Sequence, residues 1–113
     1  MTPGEFYLAY FPFGAGGGVK LRPALLLTGP VGPVPEYLVG YISSGRPPSS
    51  LPSDVILDPA SAEFVSTNLK TVSVLRLHKL ATIHQRSAVR ILGRISAATV
   101  LEVEAKLRTI LDL

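Results

Sequence analysis

The sequence predicts a mainly β domain, a small and strongly bent barrel of short strands with one helix packed on it at the C-terminus. Three observations carry that expectation. Short apolar or alternating runs recur between proline- and glycine-rich breaks over the first two thirds of the chain. Helical periodicity is confined to the C-terminal end. No strand-like run is followed by a long helix, which argues against a parallel α/β sheet.

The strands are read one at a time. "EFYLAYF" (5–11) is aromatic-rich and suits a strand. "PALLLT" (23–28) is a continuous apolar run, as in a strand covered on both faces. "EYLVGYIS" (36–43) mixes β-formers with Gly40, which marks a bulge or a close backbone approach. "DVILD" (54–58) follows, and then "KTVSVLRL" (70–77), which alternates. Val72, Val74 and Arg76 share one side of that run, with Thr71, Ser73, Leu75 and Leu77 on the other. "KLATI" (79–83) is a further short strand.

Between them, "FGAGGG" (13–18) is free to adopt positive φ. The proline-rich "TGPVGPVP" (28–35) and "SSGRPPSSLPS" (43–53) cannot continue a ladder. At the end, Ser96 N-caps a helix running from Ala97 to Leu111. Its stripe is Val100, Val103, Leu107 and Ile110, and Glu102–Lys106 and Glu104–Arg108 have the spacing and order of favourable ion pairs.

The 113 residues are expected to form a single domain, 1–113. An apolar content of 47% against 17% charged excludes a disordered chain. No apolar run reaches the roughly 18 residues of a membrane span, and no signal peptide is recognisable. The expected location is the cytoplasm, with no membrane partner. The lack of cysteine excludes disulfides, zinc thiolates and cysteine nucleophiles.

The net charge is only +3, but it is unevenly spread. From Phe64 to Leu101 there is no acidic residue, while Lys70, Arg76, Lys79, Arg86, Arg90 and Arg94 all fall in that interval. Such a stretch favours a polyanion, most simply a nucleic acid. The alternative is a solvated basic face that pairs with acids elsewhere.

No HExxH, Walker loop or carboxylate cluster at metal-ligand spacing occurs, and "GAGGG" lacks the strand–turn–helix setting of a dinucleotide loop. His78 and His84 could flank a phosphate as base and acid, but nothing orients either ring, and a strand-edge histidine plus a turn histidine accounts for both. Lys20 and Arg22 have a more specific setting. Arg22 precedes Pro23, so its backbone is pushed to extended geometry at the mouth of an apolar strand. A forked guanidinium held there suits a phosphate or its pentacoordinate transition state. Pairing of Arg22 with Asp54 or Asp58 is the structural alternative, and a solvated side chain is the alternative for Lys20. Ser43 and Ser44 end a strand next to a loop, where hydroxyls either touch a ligand or make a turn.

Taken together, "PGEFYLAYFPF", a glycine-rich loop, "KLRPALLL", "VGYISS", "SVLRLHKLATI" and "LGRIS" before a final helix resemble the MazF/PemK toxin family over essentially the whole chain. The resemblance implies an SH3-like barrel, a homodimer, and an endoribonuclease that needs neither metal nor cofactor. Its substrate would be single-stranded RNA cut at short sequences, and a small antitoxin would inhibit it. Operator DNA would be reached only through that antitoxin.

By the same resemblance Arg22 is the catalytic arginine, and Ser43 stands where the family most often has a catalytic threonine. Lys20 and the loop from Gly14 to Val19, with Gly16, Gly17 and Gly18, correspond to the segment that borders the RNA channel, and Ser44, Arg46, Lys79 and Arg86 are assigned as further RNA contacts. Serine at 43 keeps the hydroxyl but loses the methyl that restricts χ1. The nucleophile in such a reaction is the RNA's own 2′-hydroxyl, so an arginine and a hydroxyl have enough to do. Two other possibilities remain at this stage. One is a non-catalytic nucleic-acid-binding barrel or an inactive toxin relative, and the other is a structural protein that binds a partner peptide.

Overall fold

The computed structural model describes residues 1–12, 19–45, 49–61, 64 and 67–113. Its elements are β1 (Glu5–Pro12), β2 (Val19–Leu26), β3 (Glu36–Ser44), β4 (Asp54–Leu57), β5 (Ser73–His84), a 3-10 turn (Gln85–Ser87), β6 (Ala88–Arg94) and helix α1 (Ala97–Leu111). The strands form one six-stranded sheet in the order β4-β5-β3-β2-β1-β6, with antiparallel neighbours throughout. The expected class, mainly β with a C-terminal helix, is the one found. The sheet is barrel-like but not closed, because β4 and β6 remain edges. Asn68, on the connection from β4 to β5, donates through Nδ2 to the Leu92 carbonyl on β6, so a segment leaving one edge is tied to the other.

Both faces of the sheet are buried. One carries Phe6, Leu25, Ile42, Leu75 and Leu77, covered by Ile95 and by Val103 of α1. The other carries Ala9, Phe11, Ala24, Leu26, Val39 and Ile83. That double burial is why "PALLL" reads as a continuous apolar run rather than an alternating one. Gly4, at φ +90, gives its N–H to the Leu26 carbonyl and accepts from Ile95 N, both at 2.9 Å, so the start of β1 is tied to the segment before α1. A side chain would be strained at that φ.

Several boundaries differ from the sequence expectation. β2 starts at Val19, so Lys20 and Arg22 are paired strand residues rather than a lead-in to the strand. The runs at 70–77 and 79–83 are one long strand, β5, which absorbs a register shift opposite Gly40/Tyr41. Its expected alternation holds, with Leu75 and Leu77 in the core and Arg76 on the other side. β6 is an additional strand; its β-branched Val89 and Ile91 are exposed, so burial leaves only a faint mark in the sequence. Ser96 caps α1 by accepting from Thr99 N at 3.1 Å, and Lys106 Nζ lies 3.1 Å from Glu102 Oε1. Glu104 and Arg108 form no ion pair, and Ile110 at the end of the stripe is exposed.

Candidate active site at the mouth of β2

Side chains alternate along β2, so Lys20, Arg22, Ala24 and Leu26 share a face. Across the ladder Phe11 opposes Lys20, Ala9 opposes Arg22 and Tyr7 opposes Ala24. Lys20 is exposed and Arg22 half-buried. Among the described residues Arg22 bonds only the neighbouring Leu21 carbonyl, through Nη1 at 3.2 Å, and meets no carboxylate. The structural alternative through Asp54 fails because that carboxylate belongs to Arg76, whose Nε lies 3.0 Å from Asp54 Oδ1. The Arg76 contact is a charge pair, since its N–H is not aligned for a hydrogen bond.

The β2–β3 ladder runs from Leu26–Val39 to Ala24–Tyr41 and stops there. Pro23 brings no N–H with which to continue it. Neither strand has an irregularity on the way out: Arg22 stays paired with Ala9, and Ser43 with Val74 on β5. Both side chains therefore belong to the face of Ala24 and Tyr41, and the register, if continued past that rung, would set Arg22 opposite Ser43. Tyr41 lies between Ser43 and the core on that face, with its ring edge-on to Phe11 at 6.1 Å and 82°. Phe11 opposes Lys20, two residues from Arg22, and Tyr41 is two residues from Ser43. They are readable in the sequence only as strand residues two places from Ser43 and one rung from Arg22. Tyr7, further in, stays protonated well into alkaline pH: burial pushes its phenol up, and Glu5 and Tyr37 add to that.

Ser44 points the other way, paired with Ser73. It lines a cleft of about 660 Å³ together with Arg22, Pro23, Lys70, Thr71 and Arg90. Arg22 thus sits at the rim of that cleft as well as on the face of Ser43. Lys79 is exposed on β5, and Arg86 lies in the 3-10 turn with its Nε 3.4 Å from His84 Nδ1. Neither lines the cleft. Gly16, Gly17, Gly18 and Arg46 lie outside the described residues.

The structure thus breaks the basic stretch apart. Lys70 and Arg90 go to the cleft, Arg76 to Asp54, and Arg94 to Glu5, at 4.0 Å, and the Thr2 hydroxyl, at 3.1 Å. The histidines take the plain roles expected of them. His78 is exposed on β5, and His84 caps the 3-10 turn by accepting from Arg86 N at 3.2 Å. Among the described residues no three His, Cys, Asp or Glu side chains gather where a metal could sit.

The model of the PemK-like, MazF-like toxins of type II toxin–antitoxin systems matches residues 2–111. No curated protein matches the chain. Among solved structures it is similar to the Mycobacterium tuberculosis toxin MazF-mt6, at 20% identity over 96% of this chain and 97% of that one, with a TM-score of 0.72. A MazE–MazF structure from Deinococcus radiodurans has 19% identity over 100% and 97%, with a TM-score of 0.70. A mycobacterial endoribonuclease solved with its cognate antitoxin has 20% identity over 100% and 96%, with a TM-score of 0.68. At these identities the structural likenesses establish the fold.

Proposed function

The chain belongs to the PemK-like, MazF-like toxin family, and we propose that it is the toxin of a toxin–antitoxin pair, an endoribonuclease that cuts single-stranded RNA. The observation that supports this is that Arg22 and Ser43 belong to one face just beyond the end of the β2–β3 ladder, with the guanidinium uncommitted to any described carboxylate.

In the proposed reaction the substrate's 2′-hydroxyl attacks the adjacent phosphorus. The bond to the 5′-oxygen breaks, leaving a 2′,3′-cyclic phosphate and a 5′-hydroxyl; the 2′ proton is lost to solvent and the departing oxygen gains one. Arg22 donates its fork to the non-bridging oxygens as charge builds on them. The Ser43 hydroxyl accepts from the 2′-hydroxyl and holds it in line. Lys20, on the same face, contributes attraction for the backbone. Ser44, Lys79 and Arg86, with Gly16 to Gly18 and Arg46, are assigned to the path of the flanking RNA. Nothing in this sequence of steps requires a metal or a cofactor.

Two solved relatives contain an antitoxin: a MazE–MazF structure and an endoribonuclease with its cognate antitoxin. A small antitoxin is accordingly the proposed protein partner here, with operator DNA reached only through it. No helix among the described residues is long and apolar enough to cross a membrane, and the proposed place of action is the cytoplasm, where mRNA is found. A homodimer is proposed from the family pattern, so sedimentation at micromolar concentration should give twice the 12.0 kDa chain mass. A monomer there would sink that part.

The function itself is tested by incubating a long single-stranded RNA with the protein in EDTA and identifying the new ends. Cyclic phosphate and 5′-hydroxyl ends are expected. A strict need for Mg²⁺, or no cleavage beside tight RNA binding, would favour another mechanism or a non-catalytic module.

A further inference from the structure

The cleft on the far side of β2 holds two cations, Lys70 and Arg90, that the proposed reaction at Ser43 does not use. Its charged lining residues are Arg22, Lys70 and Arg90, and among the described residues no carboxylate lines it. Lys70 and Arg90 are exposed, and among the described residues neither has an ion pair or a hydrogen-bond partner. Ser44, Asn68, Thr71 and Ser73 supply neutral polar groups. About 660 Å³ is within the roughly 300–1,000 Å³ usual for ligand sites.

The two cations are brought together by the fold. Leu8 pairs with Pro23 on one side and with Arg90 on the other, so Arg90 and Pro23 lie on one face of the sheet. Lys70 comes from the connection leading into β5. Asn68 fixes that connection to β6 by its bond to the Leu92 carbonyl, from a backbone at φ 57 that few residues other than glycine adopt. With no carboxylate beside them among the described residues, these three like charges repel one another, and an anion in the cleft relieves that repulsion.

We propose that this cleft is a phosphate subsite, in which Lys70 and Arg90 hold the backbone of a nucleotide flanking the cleaved bond. The proposal rests on the reading of Arg22 and Ser43 as the cleavage site. β2 and β3 part beyond Ala24–Tyr41, with Arg22 and Ser43 on one face of the parting and Ser44 on the other. A single strand rounding the mouth of β2 can thus present one phosphate to Arg22 and a neighbouring one to Lys70 and Arg90. The apolar walls, Leu21, Ile91 and Leu92, offer a dry surface to the sugar and base.

The test measures the binding of a single-stranded RNA too long to fit at one phosphate, as a function of salt, beside cleavage of the same RNA. Each phosphate contact on a single strand contributes about 0.7 to the slope of log K against log salt. Lys70→Gln/Arg90→Gln should weaken binding about tenfold or more and flatten the slope by roughly 1.4. Arg90→Lys should keep the slope, which separates lost charge from lost fold. Arg108→Gln, a charge removed from the exposed side of α1, should do less than Arg90→Gln. In cleavage the double variant should raise KM and leave kcat near the wild-type value. An unchanged slope in the double variant, or an equal loss in Arg108→Gln, overturns the subsite. These binding readouts stand whether or not the wild type cleaves, so failure of the ribonuclease reading is seen separately, as no cleavage by an intact wild type.

Discussion

Arg22 and Ser43 belong to the same face of the sheet, each two residues beyond the last rung of the β2–β3 ladder, Ala24 with Tyr41. They are 21 residues apart in the chain and share that face at neighbouring strand ends because β2 and β3 are adjacent antiparallel strands. The arginine is half-buried and its backbone is paired, so it can hold a direction without being part of the core.

Arg22→Ala should therefore leave the melting temperature within a few degrees of the wild type while lowering RNA cleavage by about 10²- to 10³-fold, as for loss of one transition-state donor. Arg22→Lys should recover only part, because a point charge does not reproduce the fork. Ser43→Ala should slow cleavage, whereas Ser43→Thr should match or exceed the wild type. His78→Ala and His84→Ala should stay near normal. Cleavage that survives Arg22→Ala but fails in a histidine variant would reassign the site.

Asp54 is a structural acid and should behave as one. Its side chain is fully buried; Oδ2 accepts from Leu51 N at 2.9 Å and Oδ1 faces Arg76. Lys106 of α1 bonds the Asp54 carbonyl at 2.7 Å, so the helix and β4 meet there. Asp54→Ala strands a partly buried guanidinium and an amide, at a cost of roughly 3 kcal/mol. Asp54→Asn should cost less, since an oxygen remains for Leu51. Equal denaturation midpoints for the two variants would show that the charge, not the acceptor, is what matters.

Much of this was legible in the sequence, for identifiable reasons. Alternation and turn residues marked the strands, and Ser96 marked the helix start, because those signals are local. Arg22 was legible because the following proline fixes its backbone. The cleft was not. Lys70 and Arg90 line one cleft beside the tie from Asn68 to Leu92, a contact 24 residues apart that no periodicity encodes. β6 was hidden for a related reason: an edge strand with exposed Val89 and Ile91 lacks the one-sided burial that makes alternation informative. Counting six cations in one stretch overstated the anion site, since Arg76 and Arg94 are taken by Asp54 and Glu5.

Gly40 offers a test of packing. It opposes Leu25 on β2 and sits where β3 shifts register against β5, so both meanings expected of a glycine in a strand occur together. A Cβ there would lie 2.9 Å from Leu75 Cδ1 and 3.6 Å from Leu77 Cδ2. Leu75 is completely buried, so it has little room to yield. Gly40→Ala should cost about 1–3 kcal/mol by overpacking. Combined with Leu75→Val the loss should be smaller than the sum of the two single losses. Strict additivity would mean that the contact is relieved elsewhere.

Glu5 sets an acid limit on stability. Burial alone would raise its carboxyl above the ordinary 4.5, but hydrogen bonds from Thr2, the amino terminus of Met1 and Arg94 together bring it below. A carboxyl lowered in the folded chain binds its proton more readily when unfolded. Its stabilisation is therefore complete above the unfolded value of 4.5 and is lost as pH falls through the lower folded value. Glu5→Gln should accordingly be less stable than the wild type at neutral pH, and the gap should close as the pH falls below 4.5 and through the lower folded value. Denaturant midpoints for the two proteins, taken from neutral pH downward, measure this directly. A gap that stays constant with pH would mean that Glu5 acts through packing and hydrogen bonds common to both side chains, not through its charge.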